Sequence, residues 1–129
     1  MLKAKPKIEF NEQLNSIRFE GIFIIKSYWE EDDKLVQRVK DFIKNRKQVL
    51  LEFSLFYLDS VSRKIFFEMF VELKDLLLKI EDLTIRWMYE TEDETIYELG
   101  DVLTKFLNIP FEFINLDEWH PLNPIQISF

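Results

Sequence analysis

The chain contains no cysteine, so a disulfide framework, a thiolate metal site and a cysteine nucleophile are all excluded. Its one histidine, His120, lies close to the C-terminal end. That leaves no histidine-rich metal site and no Ser-His-Asp triad in the body of the chain. Two glycines in 129 residues cannot build a glycine-rich phosphate loop of either common type. Basic residues are outnumbered: 17 Lys and Arg against 24 Asp and Glu give a formal charge of −7. A nucleic-acid partner needs clustered positive charge, so this balance argues against one. Uninterrupted apolar stretches reach about five residues, as at 21–25, far short of the roughly 20 that span a bilayer. The basic start, Met1 to Lys7, is not followed by the apolar segment of a signal peptide. Together these absences predict a cytoplasmic acidic protein with no membrane partner, no cofactor and no resident metal.

What is present suits a single folded domain. Hydrophobic residues make up 47% and charged residues 32%, the balance of a globular protein able to bury a conventional core. Aromatics reach 16%, with 13 phenylalanines, more than a core alone usually uses, so some are expected on a partner surface.

Hydrophobic periodicity orders the elements. Lys7 to Phe10 and Ser16 to Ile25 read as strands joined by the turn-like Asn11 to Asn15. Between Asp32 and Lys47, Leu35, Val36, Val39, Phe42 and Ile43 define a helical stripe. Asp32 and Asp33 suit the positive end of its dipole; Lys44, Arg46 and Lys47 suit the negative end. Val49 to Leu58 is almost continuously apolar, as a central strand covered on both faces would be. A second helix runs from Ser60 to Lys79, a strand from Leu83 to Tyr89, a third helix from Glu94 to Leu107 and a last strand from Phe111 to Ile114. The order β-β-α-β-α-β-α-β implies an α/β sandwich with parallel crossovers. It would have a mixed sheet of four to five strands and three helices. Phe53, Leu55, Phe66, Phe70, Leu73, Trp87, Leu99 and Val102 are the expected core. The domain is expected to span 1–114. The tail, 115–129, is too apolar for a solvated extension, so it should pack on the domain or on a second copy in a homodimer.

The informative stretch is Phe56 to Lys64, where a buried strand gives way at once to a helix. Asp59 or Ser60 is the natural N-cap, since either side-chain oxygen can accept a first-turn N–H. Such an end also favours anions. A phosphoryl group on Ser60 would sit there, with Arg63 and Lys64 within one turn. Residue chemistry alone leaves both readings, cap and regulatory phosphosite, in place.

Several blocks, taken in order, resemble the SiaC family of bacterial regulatory phosphoproteins, whose fold is similar to the STAS domains of anti-sigma factor antagonists. Ser27-Tyr28-Trp29-Glu30-Glu31 resembles the family's Ser-Tyr-Pro-Glu-Asn. Leu51 to Lys64 resembles its strand followed by Asn-Thr-Ser-Ser-x-Lys. Ile85 to Tyr89 and Glu92 to Asp101 resemble its Trp-x-Tyr and acidic blocks, and Pro110-Phe111 its Pro-Phe. The resemblance implies a STAS-like two-layer sandwich and a non-catalytic signalling role. It places the phosphoacceptor at Ser60, with Ser62 as the alternative. It implies three partners: a serine/threonine kinase of histidine-kinase-like ATPase fold, a PPM-type phosphatase, and an effector such as a diguanylate cyclase bound by the unphosphorylated form. Asp59, Val61 and Trp29 depart from the family's Asn, Ser and Pro; Asp59-Ser60 resembles the Asp-Ser of the antagonists instead. A contact surface of Tyr28, Trp29, Asp59, Arg63 and Lys64 around Ser60 follows as an expectation.

Other candidates have plainer explanations. Glu90 to Glu94 lacks the spacing and the glycine of a calcium loop and reads as a solvated loop before a helix. Glu98 and Asp101 are one turn apart, yet nothing marks a catalytic cleft around them. Trp87 is expected in the core with Tyr89 on the same strand face, and Trp119 is expected to be buried.

Overall fold

A computed structural model describes residues 6–23 and 34–118. Its elements, in chain order, are β1 (Lys7–Asn11), β2 (Ser16–Phe23), α1 (Leu35–Ile43), β3 (Gln48–Leu58), α2 (Ser60–Leu78), β4 (Asp82–Tyr89), α3 (Glu94–Leu107) and β5 (Glu112–Asn115). The spatial order of the sheet is β1-β2-β3-β4-β5. A tight turn makes β1 antiparallel to β2; the helical crossovers make every later pair parallel. The expected mixed α/β sheet with three helices is what the chain forms.

All three helices share one core with one face of the sheet. Ile17, Phe19 and Phe23 of β2, Val49, Leu51, Phe53 and Leu55 of β3, and Ile85 and Trp87 of β4 meet Val39, Phe66, Phe70, Leu73 and Leu103 from the helices. Aromatic rings knit the layers: Phe53 lies 5.5 Å from Phe70 and 5.1 Å from Trp87. Offset and edge contacts of this kind contribute about 0.5–1.5 kcal/mol each beyond area burial.

Three expectations need correction. First, β3 is central, but the helices cover only one of its faces. The other face carries Leu50 and Glu52, half-buried, and Ser54. It belongs to a row in register across all five strands: Glu9, Arg18, Glu52, Arg86 and Glu112. Ion pairs of 2.9–3.2 Å join Glu52 to both arginines, and Arg86 to Glu112. Hydrogen bonds that Arg86 donates, to Glu112 first and then to Glu52, hold its pKa above the ordinary arginine value.

Second, Val102 is 50% exposed. The sheet-facing stripe of α3 is Ile96, Gly100, Leu103 and Leu107. Leu99 and Phe106, both half-buried, flank it, with Phe106 against Phe67 of α2 at 5.2 Å. Val102 stands one step further round the helix, past α2.

Most phenylalanines are structural. Six are buried and five more pack half-buried against the core, leaving Phe56 as the exposed one among the described residues. Third, α1 stops at Ile43: Lys44 is already extended, and Asn45 then takes a left-handed conformation (φ 67°) that turns the chain toward β3. Asp32 and Asp33, Ile24 and Ile25, and the tail from Trp119 onward, His120 included, lie outside the described residues.

Candidate functional site

The junction of β3 and α2 stands at the C-terminal end of the parallel strands, where open α/β sheets place their sites. β2 brings Gly21 opposite Leu55, but its next residue, Ile22, opposite Tyr57. Phe56 is therefore an extra residue, a β-bulge, and Gly21 across from it takes φ 115°, a conformation open to glycine. The bulge breaks the alternation of β3. Leu55 and Leu58 both point into the core, while Phe56 and Tyr57 reach solvent at 44% and 52% exposure. Pairing with β4 ends at Ser54 opposite Met88, so beyond Ser54 the strand is laddered on its β2 side only.

The helix begins immediately afterward. Asp59 is the N-cap: its backbone is extended and its carboxylate accepts the Ser62 backbone N–H at 2.8 Å. Its own N–H reaches the Phe23 carbonyl at 3.4 Å, tying the end of β2 to this turn. Ser60, the first helical residue, is exposed. Since Asp59 already caps the helix, the Ser60 hydroxyl is not spent on capping. Ser62 is fully buried. Arg63 is half-buried, with Nη1 donating to the Leu58 carbonyl at 3.2 Å. Lys64 is exposed on the same turn. The junction thus brings together Asp59, Ser60, Arg63 and Lys64, and adds an exposed apolar margin of Phe56, Tyr57 and Val61. Tyr28 and Trp29 lie outside the described residues.

Surface aromatics were expected, but not at these positions. The tandem Phe56-Tyr57 looks like more core, because the bulge that turns it outward depends on Gly21 in the neighbouring strand. A broken alternation, with two aromatics between Leu55 and Leu58, was the available signal.

The other candidates are structural. Trp87 is fully buried, and its indole N–H donates to the Ile96 carbonyl at 2.9 Å. Tyr89 is half-buried, 4.9 Å from Tyr97. Asp93 caps α3 through the Ile96 N–H. Glu98 is exposed, and Asp101 pairs with Lys105 at 3.0 Å. Among the described residues no three acidic or histidine side chains are grouped to hold a metal ion. Nor is any helix among them long and apolar enough to cross a membrane.

The family model for the SiaC family regulatory phosphoprotein matches residues 2–116. A chain in the crystal structure of the diguanylate cyclase SiaD in complex with its activator SiaC, from Pseudomonas aeruginosa, superposes with a TM-score of 0.72 at 19% identity. That match covers 87% of this chain and 93% of the other. The apo-SiaC crystal structure from the same organism gives 0.67 at 18% identity, over 86% and 91% of the two chains. A further SiaC structure from that organism gives 0.66 at 19%, over 86% and 88%. No curated protein is similar enough to count as a match.

Proposed function

The chain belongs to the SiaC family of regulatory phosphoproteins, and from that premise we propose that it is a non-catalytic phospho-switch acting through Ser60. A serine/threonine kinase of histidine-kinase-like ATPase fold transfers the γ-phosphoryl group of ATP to Ser60. The Ser60 oxygen–phosphorus bond forms, the bond to ADP breaks and the hydroxyl proton leaves. A PPM-type phosphatase hydrolyses the ester. The unphosphorylated form binds and regulates an effector, with a diguanylate cyclase the leading choice. A supply of ATP places this cycle in the cytoplasm.

The observation that carries the reading is the contrast between two nearby hydroxyls. Ser60 is exposed with no capping duty, whereas Ser62, two residues on, is fully buried. A kinase reaches the first without unfolding the helix. Phe56, Tyr57, Val61, Arg63 and Lys64 then form the surface on which the effector rests. A phosphate adds roughly −1.5 to −2 of charge there. With Asp59 negative and Arg63 and Lys64 positive, the net charge of the turn would change sign. An acidic, desolvating partner surface would then be repelled without a change of fold.

The test is mass spectrometry after incubation with the ATPase-fold kinase of the same genome, and with ATP. Phosphate on Ser60, absent from Ser60→Ala, is expected. Modification elsewhere with Ser60 untouched overturns the assignment. Protein carrying phosphoserine at position 60 should lose binding to the cyclase that the unmodified protein retains; equal binding by both forms overturns the switch.

A further inference from the structure

The end of the sheet opposite Ser60 carries a second surface that the switch does not use. There α1 ends at Ile43, α2 ends at Leu78, and β3 and β4 begin at Gln48 and Asp82. Between them lies a groove of about 530 Å³. Its floor is apolar: Ile43 is buried, while Leu76 and Ile80 are only half covered. Its rim is basic, with Lys44, Lys47 and Lys79 all exposed. None of the three ammonium groups has an ion-pair partner among the described residues, in a chain of net charge −7. Glu81 is the one acid on the lining.

Arg46 also lines the groove but is otherwise engaged. Its Nε donates to the Phe42 carbonyl and its Nη1 to the Asn15 side chain, both at 2.6 Å, and its guanidinium stacks 4.0 Å over the Phe42 ring. It anchors the β1–β2 turn rather than offering a fork to a ligand. Cations after helix C-termini offset the dipole, which accounts for Lys44 and Lys79. It does not account for Lys47, which stands four residues beyond the end of α1 and so outside the reach of the dipole, nor for the partly exposed apolar floor.

We propose that this groove docks an apolar segment of a partner protein bearing carboxylates along its edges. The floor takes leucine-like side chains, and the lysines, point charges on long flexible stems, reach carboxylates at the rim. A compact anion such as phosphate is a poorer occupant. The helix ends here present carbonyls rather than N–H groups, so a small anion deep in the groove would face the negative ends of α1 and α2. The surface is separate from Ser60, so a partner held here stays bound in both phosphorylation states.

The experiment uses the isotope-labelled full chain and an acetylated amphipathic peptide of leucine and glutamate, titrated at low salt. Saturable amide shifts centred on 44–48 and 76–82 are expected. They should weaken about tenfold in Lys47→Glu/Lys79→Glu, two exposed changes that leave the core untouched. An unchanged far-UV spectrum confirms that the variant is folded. No shifts at this end, equal shifts from a leucine–lysine peptide, or the same shifts from inorganic phosphate would each overturn the proposal.

Discussion

At the scale of single residues, Asp59 and Ser60 stand side by side at the start of α2 but are placed differently. Asp59 takes the helix N–H; Ser60 faces solvent. Asp59→Ala is therefore expected to cost about 0.5–2 kcal/mol in denaturant unfolding. Ser60→Ala should fall within about 0.5 kcal/mol of the parent, as exposed substitutions do. A large loss from Ser60→Ala alone would return the cap to Ser60 and remove the main support for its regulatory role. Asp117 makes a second residue-scale prediction. Hydrogen bonds from the Thr91 hydroxyl and from its backbone N–H, the latter at 2.8 Å, hold the Asp117 carboxyl below the ordinary aspartate value of 3.8. A depressed folded pKa means stabilisation that is present above 3.8 and lost as the pH falls through the folded value. Hydrogen-exchange protection of the Thr91 amide, corrected for intrinsic rate, should hold at neutral pH and fall in acid below that range. In Asp117→Asn that pH step should vanish.

At the scale of elements, α3 packs closely on β4 at Gly100. A Cβ added to Gly100 would come within 2.6 Å of the Trp87 indole nitrogen. The indole is fully buried and tied to the Ile96 carbonyl. Ala is the better helix former by about 1 kcal/mol, but overpacking a filled core costs about 1–3 kcal/mol. Gly100→Ala should therefore lower the unfolding midpoint and shift the tryptophan emission. An unchanged midpoint would mean that α3 stands further from the sheet. Phe70, fully buried on α2 between Phe53 and Phe111, should cost about 3–5 kcal/mol on truncation to Ala.

At the scale of the whole molecule, the sheet is asymmetric. One face holds the aromatic core, and the other carries the charged row from Glu9 to Glu112. Glu52 is the middle of that row, only 14% exposed and shared by Arg18 and Arg86. Removing it leaves two arginines, on the strands either side of β3, without the carboxylate between them. Glu52→Ala should cost about 1–2 kcal/mol at low salt, and the difference from the parent should narrow as salt screens the remaining charges. Arg18 also pairs with Glu20 at 3.2 Å, so equal stabilities at every salt concentration would show that Glu20 and Glu112 suffice for the two arginines.

The sequence by itself determined the element order, the mixed parallel sheet, the central place of β3 and the position of the β3–α2 junction. Those features rest on local signals: apolar spacing of three and four in the helices, an apolar strand, and Asp59 before a helical run. The blocks around Ser60 and Trp87 also carried the family. Tertiary structure decided which way individual residues face. Val102 shares a spacing with Leu99 yet reaches solvent, because exposure on a helix flank depends on where α2 lies against α3. Leu50, Glu52 and Ser54 face away from the helices because all three crossovers cover the same side of the sheet, and strand hydrophobicity does not record that. Phe56 and Tyr57 turn outward because of a bulge set opposite Gly21, more than thirty residues away in the chain. Ser60 is exposed and Ser62 buried because the helix enters along one side of the core, an arrangement that exists only once β2, β3 and α2 have packed.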